Sequence, residues 1–178
     1  MKTLLIGALM AVFLFLTAEG KDKMVVVAFG DSITHGVIGV KPEENWLRLL
    51  GGMLGDGYAL INAGVGGNSA REAMARYDRD VLAKKPDLIL IEFGGNNHDP
   101  GNQKRRVDDT EFKKHLADFK AKVPAGCKVV VITFPPVIDE QHAYGNNPFF
   151  PDGLDKACEP QREIVRKFAK DNSYPLVD

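Results

Sequence analysis

Apolar and polar positions follow two rhythms along this chain. Short runs of β-branched and other apolar residues recur: Met24-Val25-Val26-Val27-Ala28-Phe29, Tyr58 to Ala63, Leu88-Ile89-Leu90-Ile91-Glu92-Phe93, Lys128 to Phe134 and Pro175 to Asp178. Runs of that length and type predict buried strands. Between them the apolar positions fall at helical spacing. Glu43 to Leu54 carries Trp46, Leu47, Leu49, Leu50 and Leu54, with Pro42 suited to the start. Ser69 to Leu82 carries Ala70, Ala73, Met74, Tyr77, Val81 and Leu82, and Thr110 to Val123 carries Phe112, Leu116, Phe119 and Val123. Pro160 to Asp171 reads as a further helix. Strand–helix alternation predicts a three-layer, doubly wound α/β fold with a parallel sheet of five strands, the last cut short. The longest irregular stretch, Pro135 to Pro151, is expected to lie over the active edge.

The first residues follow neither rhythm. Lys2 is followed by an unbroken run of 13 apolar residues and glycine, Leu4 to Leu16, and then by Thr17-Ala18-Glu19-Gly20. That layout predicts a signal peptide over residues 1–20 and export to the periplasm or the exterior, because the run is short for a membrane span. No cysteine follows the run, so a lipid anchor is not expected. Residues 21–178 then form one domain, with no stable membrane partner once the leader is removed. A net charge of −1 gives no reason to expect nucleic acid. Lys104-Arg105-Arg106 is followed by Asp108, Asp109 and Glu111, which makes a mixed, solvated surface. Export permits a disulfide, but spacing leaves Cys127 and Cys158 open between a bridge and two free thiols. Neither has metal-ligand spacing.

The candidate chemistry lies in three loops, each following one of the first three strands. The first carries Gly30-Asp31-Ser32-Ile33. The second is Asn62-Ala63-Gly64-Val65-Gly66-Gly67-Asn68-Ser69, and the third Gly94-Gly95-Asn96-Asn97-His98. In a parallel sheet all three emerge at the carboxyl edge, where ligands bind. A serine there can be an exposed nucleophile, a glycine-rich loop lets a backbone N–H approach closely, and an asparagine amide can add a second donor for a developing oxyanion. Taken singly, Ser32 could be a helix cap and the glycines a tight turn. A nucleotide site on Gly64-Val65-Gly66 is disfavoured, since the pattern is incomplete and follows the second strand.

These blocks resemble the SGNH (GDSL-type) esterase and lipase family. Val27 to Ile33 is similar to its first block, Asn62 to Ser69 to its second and Ile91 to Asn97 to its third, with Asn97 where the family has aspartate. The resemblance runs from about Met24 to Asp178. It implies a flavodoxin-like fold and no cofactor. It also implies a carboxylester hydrolase acting on small acyl or acetyl esters, carbohydrate and lipid esters included. Ser32 would be the nucleophile, and the Ser32 N–H, the Gly67 N–H and the Asn96 side chain would form the oxyanion hole. Asp31 would hold the loop, and Asn97 would weaken a supporting hydrogen bond.

The family's fourth block, Asp-x-x-His, follows the fifth strand, and the sequence stops on Asp178 within that strand. The resemblance therefore implies a C-terminally truncated form whose activity is impaired for want of a general base. The alternative is a non-catalytic ligand- or glycan-binding module on the same fold. Asp139-Glu140-Gln141-His142 has the family's spacing but lies one strand early, so coincidence is the expectation. His35 is expected to line or cap the site, His98 to sit on a surface loop, with contact to substrate as the alternative, and His115 to be exposed. Trp46, Phe112 and Phe119 are expected in the core. Tyr144, Phe149 and Phe150 are expected either to rim a pocket or to anchor the long loop. The sequence does not indicate oligomeric state.

Overall fold

The computed structural model describes residues 23–36 and 40–178. The signal peptide expected over residues 1–20 lies outside the described residues. Among the described residues no helix is long and apolar enough to cross a membrane.

Five strands form one parallel sheet: β1 (Met24–Gly30), β2 (Tyr58–Gly64), β3 (Leu88–Glu92), β4 (Lys128–Ile132) and β5 (Leu176–Val177), in the order β2-β1-β3-β4-β5. The helices are α1 (Ser32–His35), α2 (Trp46–Leu54), α3 (Ala70–Asp80), α4 (Asp109–Ala121) and α5 (Leu154–Asp171). Helices α3, α4 and α5 cover one face, where Tyr77, Phe112, Phe119 and Val165 pack on Val27, Phe29, Ile89 and Ile91. On the other face α2 sets Leu47 and Leu50 against Val26, Ala28, Leu88 and Leu90. The doubly wound α/β expectation therefore holds, strand for strand.

Helix boundaries moved where side chains cap them. Helix α2 begins at Trp46, not Glu43, because Asn45 Oδ1 accepts the Leu47 N–H at 3.0 Å and Pro42–Glu44 forms a separate 3₁₀ turn. Ser69 opens α3 in a reciprocal cap with Glu72, and Asp108 Oδ1 accepts the Glu111 N–H to open α4. Helix α5 begins six residues before Pro160, which lies inside it. Its free N–H groups are met by Asp139, whose Oδ1 accepts from Leu154 N at 2.9 Å and Asp155 N at 3.2 Å. Both cysteines are free, Cys158 fully buried.

Candidate active site

The order β2-β1-β3 puts a topological switch point between β1 and β3, and the crevice beyond their carboxyl ends holds the site. Register decides which side chains meet there. Gly30 pairs with Gly64 and Phe29 with Ile91, so the first two loops leave the sheet level with one another and Glu92 stands beside Gly30. A Cβ on Gly30 would collide with the Thr34 side chain and come within 2.9 Å of Glu92 Oε2. A residue larger than glycine therefore cannot turn the chain here.

Asp31 caps α1, accepting the Ile33 N–H on Oδ1 at 2.9 Å. Its Oδ2 accepts the Asn96 amide at 2.9 Å. The same Asn96 Nδ2 donates to the Asn68 carbonyl at 3.3 Å. The shorter, charge-assisted bond to Asp31 is the stronger of the two and holds the amide in place. Ser32 is the first residue of α1 and half-buried, and Gly66 would bring a Cβ within 3.9 Å of Ser32 Cβ. Gly67, at φ +75°, follows in the left-handed region and lies under the Arg105 guanidinium. Among the described residues the Ser32 hydroxyl has no hydrogen-bond partner. Trp46 Nε1 donates to the Ile33 carbonyl at 3.1 Å, fixing α2 against the loop that carries Ser32.

Ser32 and Asn96 line one cavity of about 400 Å³. Its apolar wall is Phe134, Pro135, Pro136, Val137, Leu154 and Cys158, so the long irregular stretch does lie over the active edge. Tyr144 sits at its rim, Phe150 is buried as an anchor, and Phe149 is exposed beneath Arg106 at 4.2 Å. Burial pushes the Cys158 thiol up to about 11, so it stays protonated.

The histidines fall differently from the sequence reading. His98 is half-buried and lines the cavity, as its alternative placement allowed, with Nδ1 3.7 Å from Cys158 Sγ, and burial lowers its pKa. His35 bonds through Nδ1 to the Gly64 carbonyl at 3.1 Å and is not among the cavity's walls. His115 is largely buried and pairs with Glu111 at 3.1 Å. His142 lines the cavity with Ser32, as its loop position suggested, but its Nδ1 accepts the Tyr144 N–H at 3.1 Å. That bond holds the ring against its own loop, and His142 makes no hydrogen bond to Ser32 among the described residues. Asp139 is engaged in the α5 cap and makes no hydrogen bond to the His142 ring among the described residues.

Two residues missed in the sequence organise the site. Arg76 on α3 donates to the Gly30 carbonyl at 2.9 Å, the Ala63 carbonyl at 2.7 Å and Asn68 Oδ1 at 2.6 Å. Glu92 is 3 % exposed with its carboxyl against Asp31. Asn97, expected to weaken a supporting hydrogen bond, makes two. Its Oδ1 accepts the Ala70 N–H at 3.0 Å, and its Nδ2 donates to Gln161 Oε1 at 2.7 Å. Among the described residues no group of three His, Cys, Asp or Glu side chains gathers that could hold a metal ion.

A five-stranded parallel sheet of this order, with a Gly-Asp-Ser turn ending β1, is the SGNH-hydrolase arrangement. Residues 28–178 match the GDSL-like lipase/acylhydrolase family, and the chain belongs to it. It is 31 % identical over 182 residues to an uncharacterised lipoprotein, YqeF, of Bacillus subtilis, covering 93 % of this chain and 75 % of that one. It is 30 % identical over 136 residues to the esterase TesA of Pseudomonas aeruginosa, covering 74 % of this chain but 64 % of that one. Among solved structures it is similar to the acetyl xylan esterase AlAXEase, at 28 % identity and a TM-score of 0.65, over 86 % of this chain and 76 % of that one.

Proposed function

We propose that these residues form the nucleophile and oxyanion hole of a carboxylester hydrolase for acetyl and other short acyl esters. In this reading Ser32 Oγ attacks the acyl carbonyl. The oxyanion is received by the Ser32 N–H, the Gly67 N–H and the Asn96 amide, the alcohol leaves, and water releases the acid. The observation that carries it is the meeting of Ser32 and Asn96 in one cavity, with the second loop packed against both. The apolar wall suits a short acyl chain. A similar solved structure is an acetyl xylan esterase, which makes sugar acetates the first substrates to try. The leader read over residues 1–20 makes the protein an exported one, in keeping with a relative named as a lipoprotein.

No histidine of the cavity is arranged as a base for Ser32, so hydrolysis by these 178 residues is expected to be slow. The same feature favours a second reading, a non-catalytic ligand- or glycan-binding module. Hydrolysis of p-nitrophenyl acetate by the full chain and by Ser32→Ala separates the two. Turnover that falls at least about 100-fold on substitution supports the esterase. Equal rates from two folded proteins, with undiminished binding of acetylated xylo-oligosaccharide, support the binding module.

A further inference from the structure

Glu92 places a carboxyl where the fold offers a charge almost no compensation. It ends β3, among Leu88, Ile89, Leu90 and Ile91, and is 3 % exposed. Thr34 Oγ1 donates to its Oε2 at 3.3 Å, and the Asp31 backbone N–H also faces it. Its Oε1 meets no donor among the described residues. The Asp31 carboxyl, 2 % exposed, lies within hydrogen-bonding reach of the Glu92 carboxyl. Two buried carboxyls in contact, with no cation between them, do not both ionise.

The two acids have unequal surroundings, and that decides where the proton sits. Asp31 accepts from Ile33 N and from the Asn96 amide, and Arg76 faces it from α3. Glu92 has the threonine hydroxyl and one backbone N–H. The charge belongs on Asp31 and the proton on Glu92. His98, Asp99 and His142 share the cavity that Asp31 lines, and none of them contacts Glu92.

We propose that Glu92 is a positioning residue for the reaction at Ser32: a neutral acid that donates its proton to the Asp31 carboxylate and thereby fixes the Asn96 amide in the oxyanion site. Its functional meaning rests on the esterase reading above. The linkage is one continuous chain, Glu92 O–H to Asp31 Oδ, then Asp31 Oδ2 to Asn96 Nδ2. A second proton, taken up by Asp31 in acid, turns an anionic acceptor into a neutral one and loosens the amide. Glutamine at position 92 supplies the same donor without a titrating group. Leucine supplies none, and leaves Asp31 buried with fewer donors.

The test follows the Asn96 side-chain amide by ¹⁵N–¹H NMR across the pH range in the full chain, so it needs no turnover. The wild-type resonance is expected to titrate with Asp31, and E92Q to keep that midpoint. E92L is expected to raise the midpoint by about one pH unit, a tenfold change in the ionisation constant. If Glu92 were ionised, removing its charge in E92Q would lower the midpoint, and that result overturns the proposal even if E92L does not fold. A wild-type amide that does not titrate, or an unmoved midpoint in a folded E92L, also overturns it. Failure of the esterase reading is seen separately, as p-nitrophenyl acetate hydrolysis indifferent to Ser32→Ala.

Discussion

Asn97 shows how one atom can matter at the residue scale. Aspartate is the usual residue of the related pattern at this position, yet here the amide is required by its partner. Gln161 spends its own N–H groups on the Val107 carbonyl at 2.9 Å and on Asp109 at 3.3 Å, so only its carbonyl faces Asn97. Asn97→Asp would set a buried carboxylate against that carbonyl. We expect it to lower stability by about 1–3 kcal/mol at pH 8, and by less at pH 5, where the new acid can protonate and donate. Urea denaturation at the two pH values measures this. Glu92 makes the opposite test. Burial raises its folded pKa above the usual 4.5, with Asp31 adding to the rise. The folded protein therefore holds a proton that the unfolded chain releases above about pH 4.5. Stability is lost as pH rises from there toward the folded value, with a slope approaching about 1.4 kcal/mol per pH unit. Glu92→Gln has no proton to lose. Its stability relative to wild type should increase from pH 4.5 to pH 8, and parallel stability curves would show that Glu92 is not held neutral.

At the scale of elements, the described loops and helices are fixed by caps, some local and some distant. The local ones could be read in the sequence. Ser69 with Glu72, and Asp108 ahead of Glu111, mark the starts of α3 and α4 within a residue or two. The start of α5 could not, because its cap arrives from Asp139 on a different segment and Gly153 offers no side chain. Pro160 reads as a first-turn residue only until that cap is known. The same contact pins the irregular stretch that walls the cavity. Asp139→Ala should therefore cost about 1 kcal/mol, and Asp139→Asn, which keeps an accepting oxygen, much less. Thermal unfolding of the two variants distinguishes a cap from a merely exposed acid. The strands and the three loops were legible because apolar runs and glycine-rich punctuation are local signals. Glu92 did leave a trace, a single acid in an apolar run, but only the pairing of β1 with β3 reveals what it faces.

Across the whole molecule the site depends on three strand ends staying in register after the sheet has stopped. Strand pairing runs to Gly30 and Gly64, the Val65 N–H adds one more backbone bond to the Gly30 carbonyl at 3.1 Å, and a guanidinium ties the same ends from the side. Arg76 forks to Gly30 O, Ala63 O and Asn68 Oδ1, pairs with Asp80 at 3.2 Å, and lies over the Phe29 ring at 4.6 Å. Asn68 in turn receives Asn96, so the third loop is tied in as well. The sequence shows Arg76 as one more charge on an amphipathic helix. Its role exists only once α3 lies across the ends of β1 and β2. Arg76→Met would take the arginine donors from the Ala63 carbonyl and the Asn68 amide oxygen and leave the Gly30 carbonyl with only the Val65 N–H, at a cost of about 3 kcal/mol. Arg76→Lys should recover part of that and no more, because an ammonium cannot present a planar fork to three acceptors at once. If lysine instead restores full stability by urea denaturation, the arginine acts as a charge for Asp80 alone. The three loops would then owe their alignment to backbone packing.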